Sequence, residues 1–169
     1  MESTAVTQAA VIGRPPTPVA RKPVNTPRTP IPRKVEKTGQ HLQSTNIDWR
    51  WPTTGALRST FGPNTARKGV DIAGRLGQPV VAAAAGKVVY SGNGLIGYGN
   101  LVIIKHDAHY LSAYGHNRTL LVKEGSTVKQ GEKIAEMGDS GKEGVILHFE
   151  IRLDGKPVDP LRYLPKQGS

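Results

Sequence analysis

Val145-Ile146-Leu147-His148-Phe149-Glu150-Ile151 decides how this chain folds. It is a short apolar, β-branched run with one imidazole in its middle, which predicts a strand. Side chains alternate along a strand, so Ile146, His148 and Glu150 share one face and Leu147, Phe149 and Ile151 the other. A second histidine two residues before His148 would complete a His-x-His pair aimed at one point, a strong metal signal. Ile146 stands there instead.

Around that stretch the sequence has the punctuation of an all-β protein. Pro79 opens Val80-Val81-Ala82-Ala83, and Gly86 separates that run from Lys87-Val88-Val89-Tyr90. Asn100 to His106 and Tyr110 to Tyr114 read as a hairpin turning at Asp107-Ala108. Lys133 to Met137 supplies a further strand, and Asp154-Gly155 a turn between Leu147–Leu153 and Lys156-Pro157-Val158. No segment sustains a 3.6-residue apolar period, so long helices are not expected. Gly125 and Gly131, six apart with Val128 between them, resemble the half-barrel segment of biotinyl and lipoyl carrier domains, where glycines permit sharp corners. No exposed lysine at a hairpin tip accompanies them, so that likeness is architectural.

At 169 residues the chain has room for one domain and a tail. Residues 1–46 read as a disordered, basic, proline-rich linker and residues 47–169 as the folded domain. Seven of the thirteen prolines (Pro15, Pro16, Pro18, Pro23, Pro27, Pro30 and Pro32) lie in the first segment, among Arg14, Arg21, Lys22, Arg28, Arg33 and Lys34. Such a sequence buries too little apolar surface to offset its ordering entropy. In polyproline II form it would reach roughly 140 Å. The net charge of +10 and pI near 10.0 favour an acidic partner or surface. Nucleic acid is disfavoured, because no basic helix or aromatic-interleaved patch accompanies the charge. The absence of cysteine excludes disulfides, thiol catalysis and thiolate zinc sites. No apolar run approaches the ~20 residues of a membrane-spanning helix. The opening Met-Glu-Ser-Thr-Ala-Val-Thr-Gln has no basic and apolar regions of a signal peptide, which leaves a cytosolic protein or a piece of a longer exported one.

Seven ordered stretches resemble the LytM-type (lysostaphin-type) zinc metallopeptidase family from about Trp51 to Leu164. They are Phe61-Gly62, Lys68-Gly69-Val70-Asp71-Ile72-Ala73, Gly86-Lys87-Val88-Val89, Gly97-Tyr98-Gly99-Asn100, Tyr114-Gly115-His116, Gly138-Asp139-Ser140-Gly141 and Leu147-His148-Phe149-Glu150-Ile151. The resemblance implies a LytM β-sandwich with barrel-sandwich-hybrid character. Active members bind zinc through His-x-x-x-Asp and the second histidine of His-x-His, leaving a fourth position for an activated water. By that likeness Asp71 and His148 occupy retained ligand positions and His116 the catalytic Tyr-x-His position. Arg67 stands at the first ligand position and Ile146 at the first position of His-x-His. Arginine has no lone pair to offer a metal, and isoleucine moves no proton. The expectation is a degenerate site with no metal, no cofactor and no catalysis. An inward Arg67 would place a fixed charge near Asp71. The remaining histidines, His41, His106 and His109, are read as solvated.

Members of the family that have lost zinc ligands look like activators of cell-wall amidases. Trp49-Arg50-Trp51-Pro52, Tyr110-Leu111-Ser112-Ala113-Tyr114 and Pro160-Leu161-Arg162-Tyr163-Leu164-Pro165 carry a likeness to an envelope-lipoprotein branch of this kind. Its members bear a lipidated cysteine and a LysM peptidoglycan-binding module upstream, so the chain reads as the C-terminal part of such a protein or a shorter paralogue. The resemblance implies a periplasmic, outer-membrane-associated activator, with an (AmiC-like) N-acetylmuramoyl-L-alanine amidase and peptidoglycan as partners. A groove of Arg67, Lys68, Asp71, Tyr98, Lys105, His116 and His148 would receive the amidase. The alternatives are an active zinc endopeptidase and a passive peptidoglycan-binding module.

Overall fold

A computed structural model describes residues 46–64, 66–141 and 144–166 of the chain. His41 and the proline-rich segment up to residue 45 lie outside the described residues. Among the described residues ten antiparallel strands run in chain order: β1 Leu57–Ser59, β2 Val70–Ala73, β3 Pro79–Val81, β4 Gly86–Gly92, β5 Asn100–Lys105, β6 Tyr110–Leu120, β7 Thr127–Val128, β8 Lys133–Met137, β9 Ile146–Leu153 and β10 Lys156–Val158. One 3₁₀ turn, Pro160–Arg162, follows; its N-cap Asp159 accepts from the Leu161 N–H at 3.0 Å. The all-β class read from glycine-split, β-branched runs is the class observed.

The strands join one sheet in the order β1-β2-β9-β6-β5-β4-β7, with β10 on β9, β8 on β6 and β3 on β8. β6 links two parts of the sheet. Its residues Tyr110–Gly115 pair with β9, while Asn117–Leu120 pair with β8. The change of partner falls at His116, whose φ of 61° is left-handed and unusual for a non-glycine residue. This is why the sequence reading stopped the strand at Tyr114. Eleven residues are continuous, but they bend at an irregularity that no apolar period announces.

The core lies on the face carrying Val70, Phe149, Tyr114 and Val102, which are opposite one another across β2, β9, β6 and β5 and fully buried. Leu147 and Ile151 join them, as the alternation of the opening stretch requires. Gly125 and Gly131 both have positive φ, at 88° and 79°, and flank β7 where the chain turns back under β4.

His106 corrects the sequence reading. It is not solvated: it packs edge-on against Trp49 with ring centroids 4.9 Å apart and both ring nitrogens are bonded. Its Nδ1 donates to the Ala85 carbonyl at 2.8 Å, so Nε2 is the acceptor for the Ser112 hydroxyl at 2.7 Å. Ser112 Oγ in turn lies 2.9 Å from the Tyr114 hydroxyl, which accepts the Ala83 N–H at 2.8 Å. Four buried or half-buried polar groups are thereby satisfied in one chain. His109, by contrast, is exposed as expected and bonds Asp154 at 2.7 Å.

Candidate functional site

The other face of the same strands carries the polar residues. Asp71 on β2 is directly opposite His148 on β9, which is directly opposite Gly115 on β6. Space at Gly115 is tight: a Cβ there would lie 3.1 Å from the Tyr98 carbonyl oxygen and 3.5 Å from the His148 side chain. A bare backbone at Gly115 therefore lets Tyr98 and His148 close over it. The result is a cleft of about 600 Å³ whose lining includes Lys68, Asp71, Ile96, Tyr98, His116, Ser140, Ile146 and His148. That volume lies within the ~300–1,000 Å³ usual for binding pockets.

His148 is held from both sides. Its Nδ1 is 2.6 Å from Asp71 Oδ1 and its Nε2 is 3.0 Å from Glu150 Oε1. Two ionised carboxylates can only accept, so both ring nitrogens donate and the ring is an imidazolium. Burial alone would lower its pKa, but the bonds and charges of Asp71 and Glu150 outweigh burial and push it up to about 9. The same contacts, with Ser59 donating to Asp71 Oδ2, hold the Asp71 carboxyl below its usual range against the opposing effect of burial.

Glu150 is fully buried yet ionised, because three donors surround it. Tyr98 Oη donates at 2.9 Å and Arg152 Nε at 2.7 Å, besides His148. These bonds overcome burial, which works the other way, and lower its pKa. His116 sits across the cleft, its ring 6.1 Å from that of His148 and its Nδ1 3.3 Å from Ser140 Oγ. Burial first, and then the His148 cation, depress its pKa, so it is the neutral imidazole of the pair.

The expected groove residues divide. Lys68, Asp71, Tyr98, His116 and His148 come together as the cleft lining, with Ile146 in its floor. Arg67 is exposed and outside that lining, and the cation beside Asp71 is the His148 imidazolium rather than an inward guanidinium. Lys105 shares the cleft's sheet face, opposite Leu111 and thence Arg152, but lies two residues along β5 from the row of Ile103, Ala113 and Glu150. Sequence reasoning gave no role to Glu150, Arg152 or Ile96. Glu150 was legible as a carboxylate on the His148 face; nothing in the pattern announced the exposure of Ile96.

The pattern of Peptidase family M23 matches residues 65–160, which span β2 to the start of the 3₁₀ turn. The chain belongs to peptidase family M23. Over 120 residues, 70% of this chain and 40% of the relative, it is 62% identical to the lipoprotein NlpD/LppB homolog of Pseudomonas aeruginosa. It is 58% identical over 120 residues to the murein hydrolase activator NlpD of Escherichia coli, covering 70% of this chain and 32% of that one. The chain thus spans well under half the length of these relatives. Among solved structures, lysostaphin from Staphylococcus simulans superposes with a TM-score of 0.65 at 26% identity, over 73% of this chain and 57% of that one.

Both ring nitrogens of His148 are committed to carboxylates, so neither offers a lone pair to a metal ion. Among the described residues no three His, Asp or Glu side chains are arranged to hold a metal ion.

Proposed function

We propose that this chain is a non-catalytic activator of a periplasmic N-acetylmuramoyl-L-alanine amidase (AmiC-like), promoting cleavage of septal peptidoglycan and daughter-cell separation. The observation that carries the reading is the doubly bonded His148, a cation built from protein where the family places its metal, at the floor of an open cleft. The names of the relatives, a murein hydrolase activator and a lipoprotein, support the same direction. The cleft receives a regulatory segment of the amidase and shifts that enzyme towards its open state. Such an activator must bind the open form better than the closed one, since equal affinity shifts nothing. Residues 1–46 act as a basic spacer, and the full-length protein is associated with the outer membrane from the periplasmic side.

The test is release of dye from labelled sacculi. Amidase with this chain is expected to release dye, and this chain alone is not. Chelator-sensitive release by the chain alone would instead establish an endopeptidase. Sedimentation with sacculi but no effect on the amidase would establish a passive binding module. Arg67→Glu, a charge reversal beside the cleft, is expected to abolish activation while leaving the melting temperature unchanged.

A further inference from the structure

Asn93-Gly94 is the one Asn-Gly dipeptide in the chain. It stands just past β4, and both residues are exposed. The pairing carries its own chemistry. The backbone nitrogen of the residue after an asparagine can attack the side-chain amide carbon, and glycine alone puts no Cβ in the way. Asn100 and Asn117 differ on both counts. They precede Leu101 and Arg118, and each has its side-chain nitrogen bonded to two backbone carbonyls at distances between 2.7 and 3.0 Å.

The nucleophile at Asn93 is already engaged. The Gly94 N–H donates to the Tyr90 hydroxyl oxygen at 2.8 Å. Tyr90 is set by the β4–β5 ladder, directly opposite Ile103, and the Gly92–Leu101 pair ends that ladder one residue before Asn93. The hydroxyl rests over the bare backbone of both flanking glycines: a Cβ at Gly92 or at Gly94 would lie 3.3 Å from it. Attack requires the Gly94 nitrogen to shed its proton and to swing towards Asn93 Cγ. The bond to Tyr90 opposes both, because the proton faces a phenol oxygen rather than water and the peptide plane is held in place.

We propose that Asn93 is a self-modification site and that the Tyr90 hydroxyl is the guard that sets its rate. In the reaction a bond forms between Gly94 N and Asn93 Cγ and the Cγ–Nδ2 bond breaks. Ammonia leaves, carrying the proton shed by Gly94. Water then opens the cyclic imide at either carbonyl, which gives an aspartate or an isoaspartyl link at position 93. Water is the one co-reactant. Either product puts a carboxylate where the loop had a neutral amide, and so lowers the net charge of +10 by one. The isoaspartyl link also lengthens the backbone by a methylene, which carries Gly94 N away from the Tyr90 hydroxyl. The β4–β5 loop thus holds a chemical clock, and Tyr90 slows it.

The test incubates the full chain at neutral pH and follows the tryptic peptide Val88–Lys105, which contains both Asn93 and Asn100, by mass spectrometry and by enzymatic isoaspartyl methylation. Tyr90→Phe is expected to speed loss of the Asn93 amide about three- to tenfold, the effect of one hydrogen bond on a barrier. Gly94→Ala, at a position without positive φ, should nearly stop the loss in either background. Gly97→Ala strains the same loop while its Cβ meets nothing within 4 Å, so it should lower the melting temperature and leave the rate unchanged. In urea the unsubstituted chain and Tyr90→Phe should react equally fast. Equal rates for those two in the folded protein would overturn the guard, and so would acceleration by Gly97→Ala to the level of Tyr90→Phe. An Asn93 amide that survives in urea, or loss at Asn100 in its place, would overturn the site itself.

Discussion

Asp71 and His148 stand directly opposite one another in the β2–β9 ladder, 77 residues apart in the chain, and are joined by a 2.6 Å hydrogen bond. The bond makes a charged pair out of two residues on the floor of the cleft. An ammonium-like ring supplies one positive charge between Asp71 and Glu150, and Arg152 supplies a second on the far side of Glu150. The carboxylates are thus neutralised from within. Replacing either partner alone would leave a half-buried charge one hydrogen bond short, at a cost of about 1–3 kcal/mol.

The folded pKa of His148, about 9, lies above its unfolded value of 6.5. A raised histidine stabilises the fold fully below the unfolded pKa and loses that stabilisation as pH rises through the folded one. The window is therefore pH 6.5 to about 9, and the pair as a whole contributes on the order of 3 kcal/mol at its lower end. Urea denaturation at pH 6.5 and pH 9.5 is expected to show this loss. His148→Gln should remove most of the difference, and Glu150→Gln should move the imidazole titration seen by NMR to lower pH. A His148 ring that titrates near 6.5 in the unsubstituted chain would refute the assignment.

The same proton competes with metal. A zinc ion can bind an imidazole only by displacing it, which at pH 7 costs about 100-fold in affinity against a pKa near 9. Stoichiometric zinc at pH 7 is expected to leave the melting temperature and the His148 ring signals unchanged. A ligand that bound only the folded state at 100 times its Kd would add about 2.7 kcal/mol, a readily measured rise.

Much of this was legible in the sequence, for reasons that particular residues make plain. The strand from Ile146 to Leu153 was readable because β-branched and aromatic residues alternate faces around one histidine. The 3₁₀ turn, the bend at His116 and the burial of His106 were not. The burial of His106 depends on contacts across the sheet rather than on local preference: it is fixed by Ala85 and Trp49, 21 and 57 residues away. Asp71, His116 and His148 could be named as a group from the family likeness, but their protonation states depend on burial and on the hydrogen bonds that join His148 to Asp71 and Glu150, which a sequence pattern does not show.

The buried chain through His106 gives an effect of opposite sign. Burial lowers the pKa of His106, against smaller upward effects of Ala85 and Asp107, so the folded protein prefers the neutral ring. Stability is then lost as pH falls below the unfolded value of 6.5, because the unfolded chain takes the proton first. Ser112→Ala leaves the Tyr114 hydroxyl and His106 Nε2 without their shared partner. It is expected to cost about 1–3 kcal/mol in urea denaturation at pH 7. Tyr114→Phe should cost a similar amount by orphaning the Ala83 N–H.

Two glycines in the cleft-side loop separate strain from contact. Gly97 has φ of 90° and open space around a hypothetical Cβ, whereas Gly99 has φ of 60° and the Ser140 side chain in the way. Gly97→Ala therefore meets only the left-handed backbone penalty, roughly 1–2 kcal/mol. Gly99→Ala meets a like penalty and must also push the loop away from Ser140, carrying Tyr98 and Ile96 with it. Both variants should melt lower than the unsubstituted chain. Only Gly99→Ala should also disturb the Tyr98–Glu150 bond, visible as an upward shift in the His148 titration, because a Glu150 carboxylate with one donor fewer holds the His148 proton more tightly. Equal His148 titrations in the two variants would mean that the loop is not held by its contact at Ser140.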